Sequence, residues 1–190
     1  MRALLIVITT CVVAGYAFGG RLSGLSTTRF RWWGLAVAGL LLQVGPVPGP
    51  ILVPLLIASF AMLVVFALVN VRLSGFALVF VGITMNAVVI TANFGMPVTR
   101  YALEESGQRD TIAILNSMDQ TKHHIATDND VLLVLSDWIP VPPPVKQAIS
   151  IGDLVMWVGA GIFVVSAMRH PVVAPHAELA PSGPGDGVER

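Results

Sequence analysis

Residues 76–94 read FALVFVGITMNAVVITANF, and this stretch decides the fold. It carries no Asp, Glu, Lys or Arg, and the uncharged run extends from Leu73 to Thr99. A helix needs about 20 predominantly apolar residues to cross the hydrocarbon core of a bilayer. The stretch is long enough, and its only amides, Asn86 and Asn93, lie close to two helical turns apart and so share one face. Upstream, Leu35 to Val71 is also free of charge. Two such runs side by side are hard to read as buried helices of a soluble domain.

Working outward from 76–94, the chain holds five apolar stretches in all. The predicted helices run over about 3–19, 32–44, 51–69, 76–94 and 151–168, giving an all-α, five-helix transmembrane bundle. Gly45-Pro-Val-Pro-Gly-Pro50 is a strong breaker between the second and third. The N-terminal Arg2 with its apolar run has the outline of a signal peptide, but Gly15 to Gly19 makes a poor cleavage site, so an uncleaved first helix is expected. Residues 1–170 form the bundle and include an extracytoplasmic cap at 101–149; residues 171–190, rich in Pro, Gly and charge, are expected to be a disordered cytoplasmic tail.

Composition agrees. The chain has 190 residues, 55% hydrophobic and 12% charged, against about 25% charged in soluble domains, and its mean hydropathy is +0.79. Formal net charge is zero and no basic patch is interleaved with aromatics, so nucleic acid is not a partner. The single cysteine, Cys11, excludes an intrachain disulfide and reads as a small apolar helix residue. The expected partners are the lipid bilayer and a larger membrane complex or a second copy of the chain.

Arg21, Arg29 and Arg31 precede the second helix, Arg72 follows the third and Arg169 ends the fifth. Short loops rich in Lys and Arg stay in the cytoplasm. With five spans these arginines share one side, which places the N-terminus outside and the C-terminus inside a cell (plasma) membrane. The cap then lies outside. In it Ile112, Leu115 and Met118 recur at helical spacing, and Val131 to Leu135 is a brief apolar run with Thr127 or Asp128 as its cap. Two short surface helices are expected, with Trp138 as an interfacial anchor and Ile139-Pro-Val-Pro-Pro-Pro144 as a polyproline strut.

Polar groups inside a bilayer are expensive and point to function. Gln43, Asn86, Asn93 and Asp153 converge in the outer half of such a bundle, and Ser150 stands beside them. Gln43, Asn86, Asn93 and Ser150 are therefore the candidate binding residues. Each also has a bland reading: amides bond neighbouring helices, and Ser150-x-x-Asp153 is a capping box. Asp153, Asp137, His123 and His124 are the candidate acid–base groups. Lys122-His123-His124 with Asp128-Asn-Asp130 matches neither H-E-x-x-H nor a calcium loop, so no metal site is assigned. No span contains His, and no Walker, G-x-G-x-x-G or G-x-S-x-G motif is present, so no cofactor is assigned. Gly15-x-x-x-Gly19, Gly152, Gly159 and Gly161 permit close helix packing.

The segments Asn86-Ala-Val-Val-Ile-Thr-Ala-Asn93-Phe-Gly-Met-Pro-Val98, Lys122-His123, Leu135-Ser-Asp-Trp-Ile-Pro140 and Ser150-Ile-Gly-Asp153, with Gly20-Arg-Leu22 and Gln43, resemble a family of small bacterial integral membrane proteins known only as a domain of unknown function. The resemblance covers about Met1 to Met168. It brings no activity; it implies that the motif residues gather at one membrane face. Phe94 departs from the pattern, which more often has a small residue there, and this tells against a ligand approaching that turn.

Three functions remain. The first is a non-enzymatic accessory or structural subunit of a membrane complex, which suits a small bundle with no catalytic motif. The second is an outer-leaflet enzyme, an acid–base hydrolase or transferase acting on a lipid-linked or peptide substrate. The third is a small-molecule or ion carrier, which the lack of repeats and facing buried charges disfavours.

Overall fold

A computed structural model of the protein describes residues 2–44, 49–117 and 122–169. The chain is mostly helical: α1 (Arg2–Ala17), α2 (Leu22–Ser26), α3 (Trp33–Leu42), α4 (Gly49–Val69) and α5 (Phe76–Asn93) precede the polar segment, and α8 (Ile151–Arg169) follows it. Between them lie β1 (Met96–Val98), α6 (Arg100–Glu105), α7 (Arg109–Ser117), β2 (His123–Ile125), a 3₁₀ turn (Leu133–Leu135), β3 (Ile139–Val141) and β4 (Gln147–Ile149).

Among the described residues three helices are, by length and composition, able to cross a membrane: Ile51–Val69, Phe76–Asn93 and Ile151–Arg169. They are apolar over most of their length, and a helix meets its own backbone hydrogen bonds without water. They do not bury everything they carry: Val65, Leu68, Val81, Val88, Val158 and Ile162 are exposed, as expected for helices whose solvent is lipid. The other two apolar helices, Leu5–Ala17 and Trp33–Leu42, are shorter. The ten residues of α3 rise only about 15 Å.

The axis of the fold is the α5–α8 pair. A Cβ added to Gly82 would meet Met156 N at 2.6 Å, and one added to Gly159 would meet Gly75 O and Val79 N at 2.6 Å each, so the two backbones touch. This small-residue contact is the usual route to close helix packing in lipid. Of the first-helix glycines, Gly15 packs on Met168 whereas Gly19 faces open space. At one end, Phe30, Phe66, Phe76 and Phe163 form a ring cluster with centroids 5.2–5.9 Å apart. Asn70 clips the adjoining loop by accepting from Arg31 N and donating to Arg31 O, both at 2.9 Å. Arg21 N donates to Met168 O at 2.7 Å. The loops bearing Arg21, Arg31 and Arg72 thus share an end with Arg169.

The polar segment folds over the opposite end. β1 pairs in parallel with β2, setting Met96 beside His123, and a further bridge joins Val98 to Asp137. Thr99 caps α6 by accepting from Ala102 N at 3.2 Å. Val98, Ala102, Leu103 and Ala148 make a small core, closed by Ile112, Leu115 and Ile125.

One expected surface helix is α7, but Val131 to Leu135 gives only a 3₁₀ turn, entered through Leu132 at φ 58. The expected polyproline strut is half of a hairpin, because Ile139, Pro140 and Val141 pair antiparallel with Ile149, Ala148 and Gln147. Trp138 is exposed, and its Nε1 donates to Val134 O at 2.9 Å. Met118, the 45–48 breaker and the 171–190 tail lie outside the described residues.

Candidate functional site

Where the polar segment meets the helix ends there is a cavity of about 350 Å³. Its bundle side is apolar, from Leu56, Phe60 and Ile90, with Gln43, Asn86 and Asp153 set among them. Its other wall carries Lys122, His123 and Asp137.

The floor is built at the α5–α8 contact. Asn86, 5% exposed, donates from Nδ2 to Asp153 Oδ1 at 2.9 Å and accepts from Ser150 Oγ at 3.0 Å. Ser150 and Asp153 also form the expected capping box: Asp153 N donates to Ser150 Oγ at 3.0 Å, and Ser150 N to Asp153 Oδ2 at 3.1 Å. Cap and cavity are therefore not alternatives for Asp153. One carboxylate does both, because the α8 N-terminus is the cavity floor.

Gln43 is held from α4. Its Nε2 donates to Ser59 Oγ at 2.7 Å, and that hydroxyl donates to Gly39 O at 2.8 Å. Lys122 reaches over from the polar segment and donates from Nζ to the Gln43 carbonyl.

Asp137 is fixed by its backbone, with its N donating to Pro97 O at 3.0 Å and its carbonyl accepting from Thr99 N at 3.1 Å. Its side chain is 8% exposed, and Oδ2 lies 3.7 Å from His123 Nε2. The other oxygen, Oδ1, is buried with no hydrogen-bond partner among the described residues. Burial, and secondarily the charge of Asp153, pushes the carboxyl up from 3.8 to about 8. His123 shows 52% of its side-chain surface, but it borders the cavity. Desolvation there lowers its pKa from 6.5; Asp153 pulls it back up, while Lys122 and His124 add to the lowering. The wall thus holds an acid kept protonated and a base kept neutral.

Asn93 and His124 are elsewhere. Asn93 donates to Val131 O at 3.0 Å and accepts from Val131 N at 2.8 Å, pinning the loop to the end of α5. His124 Nε2 lies 2.9 Å from Asp130 Oδ1. Burial raises the Asp130 carboxyl, but hydrogen bonds from Thr127 and His124 outweigh this and hold it below its ordinary value. Among the described residues no three His, Cys, Asp or Glu side chains gather as a metal site.

Residues 28–165 match the family of unknown function DUF5317. The chain belongs to that family. An uncharacterized protein of Thermotoga maritima is 35% identical over 132 residues, covering 66% of this chain and 71% of the relative. No solved structure matches. The DUF5317 match encloses the whole cavity, from Gln43 to Asp153, and leaves out α1 and the C-terminal tail.

Five of the eight residues singled out from sequence, Gln43, Asn86, His123, Asp137 and Asp153, border the cavity, and Ser150 supports two of them. Sequence reasoning missed Lys122, Gln108 and Gln147 as cavity residues. It also missed Ser59, although Ser59 is the only polar side chain between Ile51 and Val69, a legible signal.

Proposed function

We propose that this DUF5317 chain is a polytopic membrane protein with a small-molecule binding site at the extracytoplasmic end of a five-helix bundle. The topology behind this reading is N-terminus out and C-terminus in, in a plasma membrane. It draws support from the arginine-bearing loops sharing the end opposite the cavity.

One observation carries the binding reading: the buried Asp137 carboxyl, with one oxygen unpartnered among the described residues, in the wall of a mixed polar and apolar cavity. Leaving a buried polar atom unsatisfied costs about 1–3 kcal/mol. Packing alone gives no reason to keep it, and an apolar residue would serve a purely structural subunit better. Cavities of about 300 Å³ and above with a few convergent polar groups are the usual form of a ligand site. A second reading, an acid–base enzyme at the same face, is favoured by the approach of His123 to Asp137.

The test is native mass spectrometry of the protein released from its own membrane in mild detergent. Binding predicts a bound small molecule that is absent from the Asp137→Asn variant. Stoichiometric co-purification with a larger protein complex, with no small molecule, would return the accessory-subunit reading.

A further inference from the structure

The charged groups facing this cavity are unequal in number and unevenly placed. Asp137 and Asp153 supply two carboxyl groups; Lys122 supplies one ammonium, already donating to the Gln43 carbonyl. His123 stands at the same wall, 3.7 Å from Asp137 Oδ2, and desolvation works against its protonation. The charge that acts on Asp137 is another acid, Asp153. Asp153 accepts from the Asn86 amide and the Ser150 backbone N–H, both of them neutral. Among the described residues the lining therefore sets two acids against one ammonium. The acidic side opens onto an apolar patch made by Leu56, Phe60 and Ile90.

From this we infer that the cavity binds a small organic cation: an ammonium group placed between Asp137 and Asp153, with a hydrocarbon part against Leu56, Phe60 and Ile90. This rests on the cavity being a binding site. An ammonium offers N–H donors, and both carboxylates accept. Its single charge balances the second acid. A volume of about 350 Å³ holds an ammonium with a short alkyl or aryl body, and a long acyl chain would not fit within it. A neutral polar ligand brings no charge to hold both acids ionised, and an anion would be repelled by Asp153.

Without a cation that balance is met by a proton. With its carboxyl at about 8, Asp137 is protonated near neutrality, and a bound ammonium has to displace that proton. The groups facing Asp137 are His123 on β2, Lys122 just before it, whose ammonium is held on the Gln43 carbonyl, and Asp153 on α8. Binding below the Asp137 value is therefore coupled to proton release, and affinity for the cation rises about tenfold per pH unit until the carboxyl is ionised.

The experiment uses the purified full chain in lipid nanodiscs, titrated with hexylammonium, hexan-1-ol and hexanoate. Thermal shift reads binding, and calorimetry in two buffers of different ionisation enthalpy reads proton exchange. The expected result is saturable binding of hexylammonium alone, with about one proton released at pH 7 and almost none at pH 9. Asp137→Asn should weaken binding at least about tenfold and abolish the proton release. The proton count is read on the wild type, so it stands even where the variant misfolds. Binding of hexanol or hexanoate instead, lost in Asp137→Asn, would overturn the cation and leave the cavity a binding site. Hexylammonium binding with no proton release and unchanged in Asp137→Asn would place it outside the cavity and overturn the inference.

Discussion

Asn86 on α5 and Asp153 on α8 meet at 2.9 Å, amide Nδ2 to carboxylate Oδ1, across a helix contact so close that a Cβ on Gly152 would overlap the Asn86 side chain. Position 152 has to be glycine for the amide to reach the acid. The bond that fixes the cavity floor and the packing that joins the two helices are therefore one arrangement.

Loss of Asn86 should be felt through Asp153. Asn86→Ala removes an acceptor for Ser150 Oγ and a donor to Asp153. We expect a loss of about 1–3 kcal/mol in detergent unfolding. A double-mutant cycle with Asp153→Asn should give a coupling energy clearly different from zero; additive single effects would mean that the pair contributes nothing as a pair.

Asp137 sets a pH slope. Its carboxyl is raised from 3.8 to about 8, so between those values the folded protein holds a proton that the unfolded chain has released. Stability from this group is complete below 3.8 and is lost as pH climbs to about 8. His123 acts in the opposite sense: lowered from 6.5, it favours the folded state above 6.5 and weakens it as pH falls below. The two oppose each other under acidic conditions, and Asp137 acts alone between 6.5 and about 8. In that window the melting temperature of the ligand-free protein should fall with rising pH, and Asp137→Asn should flatten the curve. Parallel curves for the two proteins would assign the slope to another group.

For His123 the check is direct. Histidine ring protons followed by NMR should show one signal that stays neutral below 6.5, and His123→Gln should remove that signal. If the lost signal titrates at or above 6.5, the cavity does not desolvate the imidazole.

Much of this was legible in the chain. The apolar runs place α4, α5 and α8 within about two residues, because an uninterrupted helix in lipid needs little beyond length and composition. Gln43, Asn86 and Asp153 stand out because a polar residue in such a run has to be satisfied by something. What was not legible is the wall. His123 faces the cavity because β2 pairs in parallel with β1, and Asp137 because its backbone bridges to Pro97 and Thr99. These are long-range pairings of three-residue strands, with no period to read. For the same reason His123 and the adjacent His124 could not be told apart: alternate residues of a strand face opposite ways.

Asn93 has a purely local task, and its variant should behave accordingly. The amide clamps Val131 in both directions, at 2.8 and 3.0 Å, and does not border the cavity. Asn93→Ala should speed limited proteolysis near Val131 to Val134 and leave the pH slope of Asp137 unchanged. A lost slope would show that the loop and the cavity wall move together.

The orientation is tested by where charge sits. Arg21, Arg31, Arg72 and Arg169 lie at the end away from the cavity, and the acids Glu104, Glu105, Asp137 and Asp153 lie at or beyond the other. Because basic residues in short loops are retained in the cytoplasm whereas long loops cross regardless of charge, the short arginine loops decide the matter. A reporter fused after Arg72 should be active only as a cytoplasmic protein, and one inserted within 104–108 only as an exported one. The reverse pattern would turn the cavity toward the cytoplasm, and any ligand would then be drawn from the cell interior. Two reporters on one side would mean that α5 does not span, and that Asn86 meets Asp153 outside the hydrocarbon core.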